Sequence, residues 1–499
     1  MFKKLLVVVL PLLLAGCHTV VTPSEDTNGL KDKGTVEQNG LQLFPRSNDG
    51  DIGDVMPYFD GEYMNYFYLL NEDQQSMVGF HPWSLLRTKD YVTYEDVGVV
   101  IPYEKDAGSQ DLALGTGSVI KDKNGLYHAY YTGYNGTGNT PYFEKIQHAT
   151  SSDLINWTKH PEHGFYGGHN DFRDPYVLYM EETNNYWMLI TTRHNNVGVL
   201  KLYTSTDLIT WNYDRVFFTN DAGSYNLECP TLIKFGNYWY LSYSEQGAFR
   251  VTHYRYTNNL SSGVWQKPVD DYFDGVGVYA ARLEKADDRL IYAGWQAVKQ
   301  FDYDGGDFDW GGNLAVHELI QLSNGELRPC PMREVVEALN TEVHYEKHVN
   351  NEAIIKEDGE FSFSGQSDSL LFDELLERPT RMTFSLTARS LNGTFAMTFG
   401  GNNESGPLNI LFDFNHDRLS FYNVALADIK NAMPQAYVPL HVMTRQTLTV
   451  TVLSEGECLS LYIADQFVLS VRMYAKTNNA FGFVGEGADV TIKNIHFYE

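Results

Sequence analysis

The sequence predicts an all-β protein, a five-bladed β-propeller followed by a C-terminal β-sandwich. Three observations carry that prediction. Apolar residues make up 43% of the 499 and aromatics 14%, with 34 tyrosines, a composition that suits pleated, half-buried strands. Between residues 43 and 331 an apolar strand pattern meets a tight turn five times, and an aromatic-rich strand follows each turn. The turns fall at Asp60-Gly61, Asn124-Gly125, Asn184-Asn185, Gly236-Asn237 and Asp287-Asp288, 51 to 64 residues apart. Repeats of that length, with about four strands each, are the signature of propeller blades.

Taken in order, the chain begins with a targeting segment, residues 1–17. Lys3 and Lys4 precede an apolar run over 5–14, too short to span a bilayer as a mature helix. The run ends Leu14-Ala15-Gly16-Cys17, which resembles the lipobox of bacterial lipoproteins. That resemblance implies cleavage before Cys17, lipid attachment to its thiol, and a protein exported to the cell envelope and anchored to a membrane. Residues 18–42 are polar and without apolar periodicity, and read as a flexible tether. The propeller is assigned to 43–332. Between its hairpins a second pattern recurs, Thr88-Lys89-Asp90, Ser152-Asp153-Leu154 and Thr206-Asp207-Leu208, each running on to an aromatic residue. A short amphipathic stretch with Val335, Val336 and Leu339 reads as a linker over 333–352. From 353 to 499 alternation returns in short segments at 361–363, 381–388, 395–399, 408–414, 447–452, 459–463, 467–473 and 490–498, and these predict the sandwich.

The formal net charge is −27, spread along the chain. It excludes the basic face that nucleic-acid binding needs and leaves neutral ligands as the natural partners. With Cys17 assigned to lipid, Cys229, Cys330 and Cys458 are dispersed, and no spacing suggests a disulfide framework or a zinc site. The acidic stretch with Asp302, Asp304, Asp307 and Asp309 does not have EF-hand spacing and reads as a solvated loop at the rim.

Chemistry concentrates where the blades' first strands begin. A propeller arranges those strands around one axis, so what precedes each of them converges at one mouth. Those segments are Gly53-Asp54-Val55, Gly115-Thr116-Gly117-Ser118, Arg173-Asp174-Pro175, Glu228-Cys229-Pro230 and Val278-Tyr279-Ala280. Carboxylates at the mouths of buried strands are costly unless paired or used. Three of them, Asp54, Asp174 and Glu228, suit glycosidic bond cleavage, which needs one carboxylate at the anomeric carbon and one protonated acid at the leaving oxygen. Two carboxyls about 5.5 Å apart at an effective dielectric of about 20 repel by roughly 3 kcal/mol, enough to lift one by about 2 pKa units. Arg173 is expected to hold its neighbour Asp174 ionised.

These motifs, together with Trp310-Gly311-Gly312 and Glu318-Leu319, resemble glycoside hydrolase family 32, the β-fructofuranosidases. The resemblance covers about residues 43–331, and the trailing sandwich fits it too. It implies retaining hydrolysis of terminal β-D-fructofuranosyl units from fructans, fructo-oligosaccharides or sucrose, with no metal or cofactor. By the same resemblance Asp54 is the nucleophile, Glu228 the general acid/base, and Asp174, beside Arg173, the stabiliser that binds sugar hydroxyls. Thr116, Ser118, Trp83 and Trp295 fall where the family shapes its fructose pocket, and Tyr279 comes from the fifth hairpin. Two positions depart from the family pattern. Its usual Asn-Asp-Pro-Asn-Gly is here Gly53-Asp54-Val55-Met56-Pro57, and His317 stands where Arg commonly precedes Glu318-Leu319. Alternatives are the related inverting arabinofuranosidase/xylosidase type, also built on two Asp and one Glu, and a carbohydrate-binding surface lipoprotein without turnover.

Overall fold

The computed structural model describes residues 36–38, 40–72, 80–247, 249–356, 359–374, 376–401, 407–478 and 480–499, all within one compact unit spanning 34–499. The expected targeting segment, Cys17 and most of the expected tether lie outside the described residues.

Five antiparallel blades follow one another along the chain. Blade I comprises Gly50–Phe59, Met64–Glu72, Trp83–Thr88 and Tyr94–Ile101. Blade II comprises Ala113–Lys121, Tyr127–Tyr134, Glu144–Ser151 and Trp157–Lys159. Blade III comprises Phe172–Met180, Asn185–His194, Val197–Ser205 and Asn212–Thr219; blade IV has Leu227–Phe235, Tyr238–Glu245 and Thr252–Thr257. Blade V comprises Val278–Ala286, Arg289–Lys299, Phe308–Gln321 and Leu327–Cys330. Each of the five turns predicted from sequence joins a blade's first and second strands.

The second recurring pattern also has a physical basis. In blades I, II and III the aspartate after the third strand accepts two backbone N–H groups: Asp90 from Val92 and Thr93, Asp153 from Ile155 and Asn156, Asp207 from Ile209 and Thr210. The next residue takes a left-handed conformation in every case, at Tyr91, Leu154 and Leu208. The aspartate side chain thus closes the turn into the outer strand.

The ring closes between blades V and I through a single residue pair, Gly312 with Ile52. Two bonds from the preceding segment support it, Leu314 N–H to the Pro45 carbonyl and Asn313 Nδ2 to the Phe44 carbonyl. Val36–Gln38, inside the expected tether, pairs with the outer strand of blade I. The tether therefore meets the fold before residue 42.

Beyond the propeller, two seven-stranded sheets pack face to face around a core that includes Phe384, Phe395, Phe412, Phe481 and Phe483. Part of the expected linker belongs to them. Arg333–Ala338 is a short helix, but Glu342–Val343 adds to one sheet and Lys347–Val349 to the other.

Buried polar contacts join blade V to the sandwich. Arg472 donates to the carbonyls of Ala297 and Gln296, and Gln296 Nε2 donates to the Val471 carbonyl. His317 belongs to this joint: Nδ1 lies 2.8 Å from the Tyr462 hydroxyl and Nε2 3.2 Å from Asp274. Asp304, read from sequence as part of a solvated acidic loop, instead accepts the backbone N–H groups of Tyr474 and Ala475. Its charge is spent on docking, where a free carboxylate would be costly to bury.

Candidate active site

The site is built from one local irregularity repeated in every blade. In each first strand two residues stand opposite one on the partner strand, a β-bulge. The bulged pairs are Gly53-Asp54, Gly115-Thr116, Asp174-Pro175, Cys229-Pro230 and Ala280-Ala281. The acids thus sit within the first strands, not ahead of them as sequence suggested. At the first bulge position Asp174, Cys229 and Ala280 have φ of 56°, 51° and 51°, a conformation uncommon for side-chain-bearing residues and held only where surroundings over-determine it.

Because the bulges repeat, equivalent residues of adjacent blades meet. Asp54 and Thr116, both at the second bulge position, are joined by a 2.7 Å bond from the threonine hydroxyl to Asp54 Oδ2. Asp174 and Cys229, both at the first, are joined by a 3.0 Å bond from Cys229 N–H to Asp174 Oδ2. One residue earlier come Arg173, Glu228 and Tyr279. Arg173 Nη2 donates to Glu228 Oε1 at 2.9 Å, and the Tyr279 hydroxyl donates to Oε2 at 2.8 Å. Trp295 Nε1 donates to Asp54 Oδ1 at 3.0 Å, and its ring packs edge-on against Tyr279 at 5.8 Å.

The buried Cys229 links two of the acids: its N–H bonds Asp174, and its thiol lies 4.0 Å from the Thr116 hydroxyl that bonds Asp54. Burial pushes that thiol well above its ordinary range, and the charges of Asp54, Asp174 and Glu228 push the same way, so the thiol is inert as a nucleophile.

Arg173 corrects the expectation from sequence. Its guanidinium hydrogen-bonds Glu228, Glu144 and Asp171. It does not hold Asp174 ionised. Asp174 is 4% exposed, and burial pushes its carboxyl up to about 7 against the opposing pull of Arg173, with the Glu228 charge adding to the rise. Glu144 and Asp171 had no motif to mark them; they complete a clamp that fixes the guanidinium.

Of the other predicted pocket residues, Thr116, Trp295 and Tyr279 touch the acids. Trp83 does not. It is fully buried, donating Nε1 to the Gly115 carbonyl, and it packs in the apolar core between blades I and II. Ser118 is also structural: its hydroxyl donates to the Pro175 carbonyl and accepts Val177 N–H, stitching blade II to blade III. Sequence placement missed the role of Trp310, whose indole lies over Gly53 and stacks on His81 at 4.2 Å. A Cβ at residue 53 would fall 2.0 Å from that indole. Only glycine fits beside Asp54 while Trp310 is in place.

Chemically, Asp54 offers a half-buried carboxylate oriented by two donors, and Glu228, joined to it through Tyr279 and Trp295, has a guanidinium beside it that can stabilise its anion. Asp174, protonated or not near neutrality, supplies a buried partner for hydroxyl groups.

Two outcomes follow from this geometry. The folded protein binds a proton at Asp174 more tightly than the unfolded chain does. That contribution to stability is complete below about 3.9 and is lost as pH rises through about 7. In denaturant titrations Asp174→Asn should therefore gain on the wild type between pH 4 and pH 8, by about 2 to 4 kcal/mol at about 1.4 kcal/mol per unit, while activity falls. A difference that stays flat with pH would disprove the charge penalty. Gly53→Asn should cost about 1 to 3 kcal/mol through overpacking, and Trp310→Ala in the same chain should restore part of that loss; additive costs in the double-mutant cycle would show that the two residues do not compete for space.

The comparisons with known proteins agree with this geometry. The model of the glycosyl hydrolases family 32 N-terminal domain matches residues 51–331. A sucrose-6-phosphate hydrolase of Escherichia coli is 31% identical over 44% of this chain and 49% of its own length. A levanbiose-producing levanase of Bacillus subtilis is 26% identical over 69% of this chain and 63% of its own. The chain thus spans about half to five-eighths of the length of these relatives. Among solved structures, a family 32 β-fructofuranosidase of Bombyx mori superposes with a TM-score of 0.68 at 18% identity, covering 92% of this chain and 93% of that one. By the match over 51–331, which carries all three acids, this chain belongs to glycoside hydrolase family 32.

Proposed function

We propose that the protein is a retaining β-fructofuranosidase that releases terminal fructosyl units from fructans, fructo-oligosaccharides or sucrose. The observation that carries this is the contact network joining the three acids, from Asp54 through Thr116 and Cys229 to Asp174 and from Asp54 through Trp295 and Tyr279 to Glu228, within a family whose relatives here are a sucrose-6-phosphate hydrolase and a levanase.

In this mechanism Asp54 attacks the anomeric carbon as Glu228 transfers its proton to the leaving glycosidic oxygen. The fructosyl group is then held as an ester of Asp54. Glu228, now a carboxylate, takes a proton from water, and the resulting hydroxide displaces Asp54 with a second inversion, so configuration is retained. The Thr116 and Trp295 donors aim both Asp54 oxygens, and Arg173 stabilises Glu228 while its proton is away. Asp174 binds hydroxyl groups of the ring.

Product analysis on sucrose, inulin, levan and arabinofuranosides tests the reading. Fructose should appear first as the β-anomer by NMR, and Glu228→Gln should lower kcat by about 10²- to 10⁴-fold with sugar binding kept. An inverted anomer from an arabinofuranoside would favour the inverting arabinofuranosidase/xylosidase type, and binding without turnover across the panel would favour a carbohydrate-binding role without catalysis.

We further propose that the lipobox sequence ending at Cys17 directs export and lipid anchoring at the cell envelope. Cys17→Ser should move the protein from the membrane fraction to the soluble fraction; a wild type already soluble after fractionation would refute anchoring.

A further inference from the structure

Outside the catalytic centre, four histidines gather on blade II. His128 and His148 lie on its second and third strands, and His160 and His163 flank one short 3-10 turn, Pro161–His163, where the chain leaves blade II for blade III. A 3-10 turn has three residues per turn, so positions i and i+3 stand on one side. The two rings stack with centroids 5.0 Å apart.

Hydrogen bonds link the rings in a chain. His128 Nδ1 lies 2.9 Å from His148 Nε2, and His148 Nδ1 lies 2.9 Å from His163 Nδ1. His160 Nε2 is held by the Thr150 hydroxyl at 2.9 Å. One nitrogen of each imidazole on the turn is thus held by a partner behind it, and the other, His163 Nε2 or His160 Nδ1, is turned toward Glu162.

Both outer ring nitrogens face one oxygen of Glu162. His160 Nδ1 is 3.4 Å and His163 Nε2 is 3.7 Å from Glu162 Oε1, and the three atoms lie within 4.8 Å of one another. In the neutral tautomer with its proton on the inner nitrogen, each imidazole presents a lone pair here, and a divalent cation would join the three atoms. A tetrahedral zinc ion with bonds of about 2.1 Å holds its ligand atoms about 3.4 Å apart, close to the spacing seen. Two imidazoles and a carboxylate form a ligand set suited to zinc, and in such sites the far nitrogen of each imidazole is fixed by an outer partner, as Thr150 and His148 do here.

We propose that His160, Glu162 and His163 form a zinc-class divalent metal site that ties down the crossover leading to Arg173 and Asp174, with water completing the coordination. It stands apart from the proposed hydrolysis and requires no change to it. An ion closing the site turns the two half-buried rings about χ2 and draws in Glu162, which is 64% exposed and free to move.

The test uses the full chain without an affinity tag, stripped with chelator and titrated with ZnCl₂ at pH 7.5, where isolated imidazoles are mostly neutral. Calorimetry and metal analysis should give one zinc per chain, with a rise in Tm. Glu162→Gln, a surface change that leaves the fold intact, should weaken binding at least about tenfold, and His160→Ala with His163→Ala should abolish it. Folding of each variant is checked by circular dichroism in the metal-free state. No stoichiometric zinc in the wild type, or unchanged binding in both variants, would overturn the proposal; hydrolysis of sucrose or fructan is scored separately and bears only on the fructosidase reading.

Discussion

A carboxylate almost wholly buried at the centre of the ring is the constraint the rest of the candidate site answers to. Asp174 accepts the Cys229 N–H, and its own N–H donates to the Thr132 hydroxyl. Those bonds exist because two adjacent blades carry the same bulge in the same place with the same left-handed backbone. The bulge turns Asp174 into the axis and simultaneously aims the Cys229 amide at it. Burying the acid costs stability at neutral pH, and the propeller's interblade bonds and packed clusters provide the rigidity that tolerates that cost. A less constrained scaffold would relax by letting water reach the carboxyl.

The same repetition explains why so much of the site was legible in sequence. Asn, Asp and Gly at the five turns have specific conformational reasons to be there, so the spacing of blades could be read directly, and with it the convergence of the three acids. What sequence could not reveal is the side to which a strand residue points. Arg173 adjoins Asp174 in the chain, which suggested a pair. The bulge that begins at Asp174 breaks the regular alternation, and Arg173 reaches across to Glu228, its equivalent in the next blade. Trp83 and Ser118 failed for a similar reason: a large aromatic or a hydroxyl near the axis fills an interblade seam as readily as a pocket, and nothing in the residue type distinguishes the two.

In the sandwich, legibility followed periodicity. Thr380–Ala388 alternates buried and half-buried residues and was readable. Asp368–Phe372 is buried at every position and shows no period of two, and Ala480–Glu486 carries Gly482 and Gly485 where a neighbouring backbone or ring leaves no room for a side chain. Both were missed. Fully buried strands and glycines at close approaches lack the alternation that marks a strand with one wet face.

The two departures from the family pattern have different meanings. His317 lies in the joint with the sandwich, paired with Tyr462 and Asp274, so its identity bears on how the sandwich docks and not on the sugar. Gly53 is different, because the space its missing side chain leaves beside Asp54 is filled by Trp310, which rests on His81. Met56 is likewise engaged, its sulfur accepting the Gly117 N–H from the blade that supplies Thr116. With glycine at 53, an aromatic face occupies the space beside Asp54, and Asp54 has two good donors of its own. Apolar and aromatic groups thus pack around this carboxylate while its orientation is fixed by the threonine and the indole, so the departures at 53 and 56 alter what lies beside Asp54 and not how Asp54 is aimed.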